Sequence, residues 1–63
     1  MNYLVLSVSH DGQKFIGIYT DGEVAISVCN NCRKDDEYEY CDVNVYEYEL
    51  NSKFDIFKSN KIF

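Results

Sequence analysis

The sequence predicts an α+β domain, a three-stranded antiparallel sheet of order β-β-α-β with one helix packed on one face. Three observations carry this prediction. Two runs rich in Val, Ile, Leu and Tyr flank an Asp-Gly pair; a helix-capping signature then opens a stretch with apolar residues three and four apart; and a Glu/Tyr-rich stretch near the end alternates with period two.

The first strand is "NYLVLSVS", residues 2 to 9, and Asp11-Gly12 supplies the positive-φ residues that a tight hairpin turn needs. The return strand is "KFIGIY", residues 14 to 19, in which Gly17 marks a twist, a bulge or the close approach of another chain segment. Thr20 with Glu23 three positions on is a capping box, and it starts a helix. Ala25, Val28, Cys29 and Cys32 share one face of that helix, and Arg33 and Lys34 sit at its negative end. The last strand is "EYEYCDVNVYEYEL", residues 37 to 50, with its first few residues open to a loop assignment. The chain is one domain over residues 1 to 63, and the tail 51 to 63 either docks as a short flap or stays partly mobile.

The simplest sheet places the first strand in the centre, with a right-handed crossover through the helix. That central strand is apolar on both parities: Leu4, Leu6 and Val8 on one, Tyr3 and Val5 on the other. One helix covers only one face, so the second needs a cover of its own. Self-association or a partner surface is the expected cover, with Tyr3 and Val5 as the homodimer face.

Eleven acidic residues against six basic ones give a net charge of −5, which repels nucleic-acid phosphate and anionic membranes and suits a protein partner with a basic surface. Direct nucleic-acid binding and membrane association are therefore not expected. "MNYLVLSVSH" lacks a positive leader, and three cysteines, an odd number, fit free thiols in a reducing cytoplasm.

Cys29, Cys32, Cys41 and His10 could formally supply the four ligands of a zinc site. Cys29 and Cys32 also fit the i, i+3 spacing of a buried helix face beside Ala25 and Val28, and no second paired motif exists. The core reading is preferred, with Cys41 facing the pair, and neither a metal nor another cofactor is expected. Redox catalysis needs a cysteine at a helix N-terminus, whereas this pair lies in the last turns. His10, beside Asp11, reads as a solvated turn residue. Paired carboxylates need a concave pocket that separates their pKa values, for which so small a sheet has little room, so no enzymatic activity is expected.

What remains is the acidic Tyr/Glu strand. Its candidate partner-binding residues are Glu37, Tyr38, Glu39, Tyr40, Tyr46, Glu47, Tyr48 and Glu49. Tyrosine supplies rigid amphipathic contact area. Acids on every second residue would recur about every 7 Å, a spacing suited to a basic groove and equally to an edge strand kept soluble by charge.

"FIGIYTDGEVAISV" followed by "VYEYELN" resembles a family of small uncharacterised domains found in bacteria and their phages. The matching positions are Phe15, Ile16, Gly17, Tyr19, Thr20, Ala25, Tyr46, Glu47 and Leu50, and the likeness covers residues 3 to 51. The connection between helix and last strand is shorter here than in the family. The resemblance implies the same β-β-α-β order and a phage or bacterial setting, and it brings no activity or site.

Three functions follow as expectations. The first is a non-enzymatic inhibitor that blocks a host-defence or nucleic-acid-acting protein, in the host cytoplasm if phage-encoded. The second is a dimer that sequesters a nucleotide-like small molecule. The third is a zinc-stabilised interaction module.

Overall fold

A computed structural model describes residues 1 to 63. Strands β1 (Asn2–Ser9), β2 (Gly12–Tyr19) and β3 (Asp42–Tyr48) form one sheet of order β2-β1-β3. Both outer strands are antiparallel to β1 and hence parallel to each other, so helix α1 (Gly22–Arg33) is a crossover between them. The expected fold class is the observed one.

Ser9 pairs with Gly12, which leaves His10 and Asp11 as a two-residue loop and starts β2 two positions earlier than its apolar pattern indicates. Only Gly12 in this turn takes a positive φ, 122°, where a Cβ would be strained. Further along, the register passes from Val5↔Gly17 to Leu6↔Phe15, so Ile16 is the extra residue of a bulge. That bulge sends Ile16 and Tyr19 towards the helix side. A Cβ at Gly17 would fall 2.6 Å from the Tyr19 hydroxyl, so the glycine lets the Tyr19 ring lie back along its own strand.

The helix cap is Asp21, one residue later than Thr20: its Oδ1 accepts from the Glu23 amide at 2.9 Å. Ala25 and Cys29 are fully buried and close a core with Val5, Val43 and Val45. Burying each such valine stabilises the fold by about 1.5–3 kcal/mol. Tyr3 packs against the same core, and a Cβ at Gly22 would meet its ring at 3.2 Å. The face carrying Tyr3 and Val5 is thus the helix face, and Val5 is wholly enclosed by its own chain. Val5 cannot contribute to a dimer interface, which corrects the assignment drawn from sequence.

The last strand also begins later than expected. Asp35 Oδ1 accepts from the Glu37 amide at 3.0 Å, and the Tyr38, Glu39 and Cys41 amides donate three residues back. These bonds wind residues 35 to 41 into turns around a 3-10 segment, Asp36–Tyr38. Strand pairing starts only at Asp42, opposite Val8.

The second sheet face is covered from within the chain over β1 and β3, whereas Phe15 and Ile18 of β2, paired with Leu6 and Leu4 on that face, stay exposed, 61% and 41%. Leu4, Leu6 and Tyr46 are about 95% buried there, although helix and 3-10 segment lie on the other side, so residues beyond β3 provide the cover. Asn51 makes the reversal in the left-handed region, φ 64°, which asparagine tolerates. Phe54 then packs edge-on against the rings of Tyr46 at 5.7 Å and Tyr48 at 5.9 Å. The segment next turns round the outer edge of β3. Lys61 forms a bridge with Tyr46, the Glu47 amide donates to Asn60 O and the Ile62 amide to Val45 O, both at 2.9 Å. Phe63 ends against the helix-side core. Residues 51 to 63 are therefore a docked strap that passes from one face of the sheet to the other.

Phe54→Ala should cost about 2 kcal/mol, below the roughly 3–5 kcal/mol of a fully buried Phe→Ala change. Denaturant titration gives that figure. Amide exchange at Glu47 and Ile62 should accelerate together as the strap loosens, and unchanged exchange there would contradict its docking through Phe54.

Candidate functional site

The eight candidate residues divide between two ends of β3, separated by roughly 20 Å for a strand of this length. At the far end most are occupied by the fold. Tyr46 is 5% exposed and its hydroxyl accepts from Asn44 Nδ2 at 3.3 Å. Tyr48 packs on Phe54 and donates its hydroxyl to Ser52 O at 2.8 Å, while Glu47 accepts from Asn60 Nδ2 at 2.7 Å. Tyr46, Glu47 and Tyr48 are strap contacts, and only Glu49 stays exposed. The continuous Tyr/Glu row expected from the alternation does not exist.

The near end is different. Glu37, Glu39 and Tyr40 stand on the turns before β3 and are exposed, Tyr40 to 86%. Asp35, Asp36 and Asp42 surround them, and the hairpin loop brings Asp11 to the same end, because Asp42 pairs with Val8 next to that loop. Six of the eleven acids of the chain gather here. Tyr38 is half-buried: its ring packs towards the core and lies 5.3 Å below Lys14 Nζ. Lys14 also meets Glu37 Oε1 at 3.4 Å. The hydrogen bond to Glu37 and the field of Tyr38 raise the ammonium pKa above its ordinary value.

A cleft of about 240 Å³ opens beside this pair, lined by Ser7, Ser9, Asp11, Lys14, Tyr38 and Cys41 among others. Ser7 and Lys14 belong to the site through strand pairing, a long-range relation that no local spacing announces. Two further recesses, of about 540 and 290 Å³, lie along the strap, the first between Gln13 and Phe57 and the second near Glu49.

Cys29 is buried and donates its Sγ–H to Val43 O at 3.2 Å, while Cys32 and Cys41 are half-buried. Burial pushes the thiols of Cys29 and Cys32 up, with Asp35 and Glu37 adding to the effect on Cys32. His10 is exposed, 3.4 Å from Asp11. Nowhere do three or more His, Cys, Asp or Glu side chains converge in a metal-holding arrangement. Arg33, read from sequence as a helix-end charge, does more: its Nε donates to Val43 O at 2.9 Å, its Nη2 donates to Phe63 O at 2.8 Å, and its guanidinium lies 4.5 Å from the Phe63 ring.

Comparisons with protein-family models, curated proteins and solved structures find no match. No helix is long and apolar enough to cross a membrane.

The thiols give a signed pH dependence. A cysteine whose folded pKa lies above its unfolded value stabilises fully below the unfolded pKa, and that contribution declines as pH rises from the ordinary value of 9.0 towards the folded one. Wild type should thus lose stability above pH 9 more steeply than Cys29→Ala in paired melting curves. At pH 7 Cys29 should resist iodoacetamide until the protein unfolds, and rapid labelling of the native state would contradict its enclosure.

Proposed function

We propose that the protein is a non-enzymatic binding protein that blocks a partner bearing a basic surface, and that its contact surface is the acidic end of the domain rather than a whole strand. The observation that carries this reading is Tyr40, 86% exposed on a turn flanked by Glu39 and Asp42 with Asp35, Asp36 and Asp11 nearby. An aromatic residue held out of the core on a turn forgoes burial that would stabilise the fold, and tyrosine at that exposure suits the centre of an interface. The acids around it steer a cationic surface into contact and set its orientation. A protein that acts on nucleic acid carries such a surface in its binding groove, and the family resemblance supports a bacterial host protein as the target. A dimeric small-molecule trap has less support, since the Tyr3 and Val5 face expected to form the dimer is packed under the helix.

The test is capture from bacterial lysate by immobilised protein, with the retained partner identified and its affinity then measured. Tyr40→Ala should weaken binding by about 30-fold, Asp36→Lys with Glu39→Lys by about tenfold or more, and both variants should melt as wild type does. Raising salt from low to several hundred millimolar should release the partner. Retention indifferent to both variants and to salt would refute the reading.

A further inference from the structure

The cleft at the acidic end has a chemistry more specific than negative charge. Among its lining residues is Ser7, 3% exposed, whose hydroxyl makes no hydrogen bond within the protein; since no enclosed side-chain polar atom lacks a partner, that hydroxyl is open to the cleft. Tyr38, Glu37 and Asp11 line it as well. One cation of the chain already samples this set. Lys14 Nζ stands 3.4 Å from Glu37 and 5.3 Å from the Tyr38 centroid, longer than the roughly 2.7–2.9 Å of a well-formed charged hydrogen bond, and it forms none with Ser7.

The occupant these groups suit is a planar cation with several N–H donors. A guanidinium stacks on an aromatic ring, bonds a carboxylate through two donors and keeps further donors for a hydroxyl. Size points the same way: about 240 Å³ is below the roughly 300–1,000 Å³ of pockets for drug-sized molecules and holds the end of a side chain.

We propose that this cleft receives an arginine side chain of the partner, stacked on Tyr38 and bonded to Glu37 and Ser7, with Lys14 as the resident cation it displaces. The partner's existence rests on the reading under Proposed function; the preference of the cleft for arginine does not, because a peptide probes it directly.

The probe is acetyl-Gly-Arg-Gly-amide, followed by amide chemical shifts of the intact protein, with the citrulline peptide as its neutral isostere. The arginine peptide should shift Ser7, Lys14, Tyr38 and Cys41 saturably, and the citrulline peptide should not. Lys14→Ala should tighten binding about threefold by removing the competing charge. Glu37→Gln should weaken it about fivefold, and Ser7→Ala, which alters one hydroxyl beneath an unchanged surface, about tenfold. Equal shifts with citrulline, shifts centred elsewhere, or no gain from Lys14→Ala would overturn the proposal. If the peptide binds as expected while Tyr40 and the acidic variants leave partner capture unchanged, the cleft stands and the blocking role falls. If the peptide fails while those variants abolish capture, the cleft alone falls.

Discussion

The outer edge of β3 sets the terms for the rest of the molecule. An edge strand presents a row of backbone groups that must find partners in water, in another chain or in their own. Here the chain supplies them. Val43 O accepts from Arg33 Nε and Cys29 Sγ, Val45 O from the Ile62 amide, and the Glu47 amide donates to Asn60 O. To do so, the last turn of the helix must lie beside Val43 and the strap must run beside Val45 to Glu47. Arg33 joins the two by holding Phe63 through its carbonyl and its ring. Helix, strand and strap are thus fixed to one another along a single line of backbone.

Both sheet faces follow from that arrangement. Four consecutive residues of β1, Leu4 to Ser7, are buried, which a sheet covered on one side alone could not achieve. The helix encloses the odd positions and the strap the even ones. The strap end of the sheet is consumed by these contacts, its tyrosines and Glu47 included. The hairpin end escapes them, because residues 35 to 41 turn back on themselves instead of pairing. Exposed acids and Tyr40 are what that escape leaves in solvent.

Much of the fold was legible in the sequence because local rules decided it. Asp11-Gly12, the glycine next to the bulged Ile16 and the spacing of Ala25 and Cys29 are short-range signals, and strand order followed from them. The third strand was misjudged at its start for a physical reason. Alternating Glu and Tyr fits a pleated strand, but two aspartates before it offer side-chain acceptors to the backbone, and Asp35 takes the Glu37 amide first. At the helix start, likewise, the capping box read on Thr20 gives way to Asp21, whose carboxylate takes the Glu23 amide. The cover of the second face was read as another molecule because the tail, lysines mixed with aromatics, has no periodicity to announce its route. Of the candidate site, Glu37 to Tyr40 were within reach of sequence, while Ser7 and Lys14 join them only through pairing and packing across the sheet.

The central position of β1 has a consequence for how the chain acquires its shape. Its hairpin with β2 can close early, but its other neighbour is more than thirty residues downstream: Val8 meets Asp42 and Asn2 meets Tyr48. Loop closure over such separations slows folding relative to helical proteins of similar size. During synthesis Leu4 and Leu6 therefore lack their β3 neighbours until the C-terminal third of the chain has been made, and the apolar central strand stays unpaired on that side for most of that time. The absence of proline has a compensating effect, for no prolyl isomerisation delays the final closure.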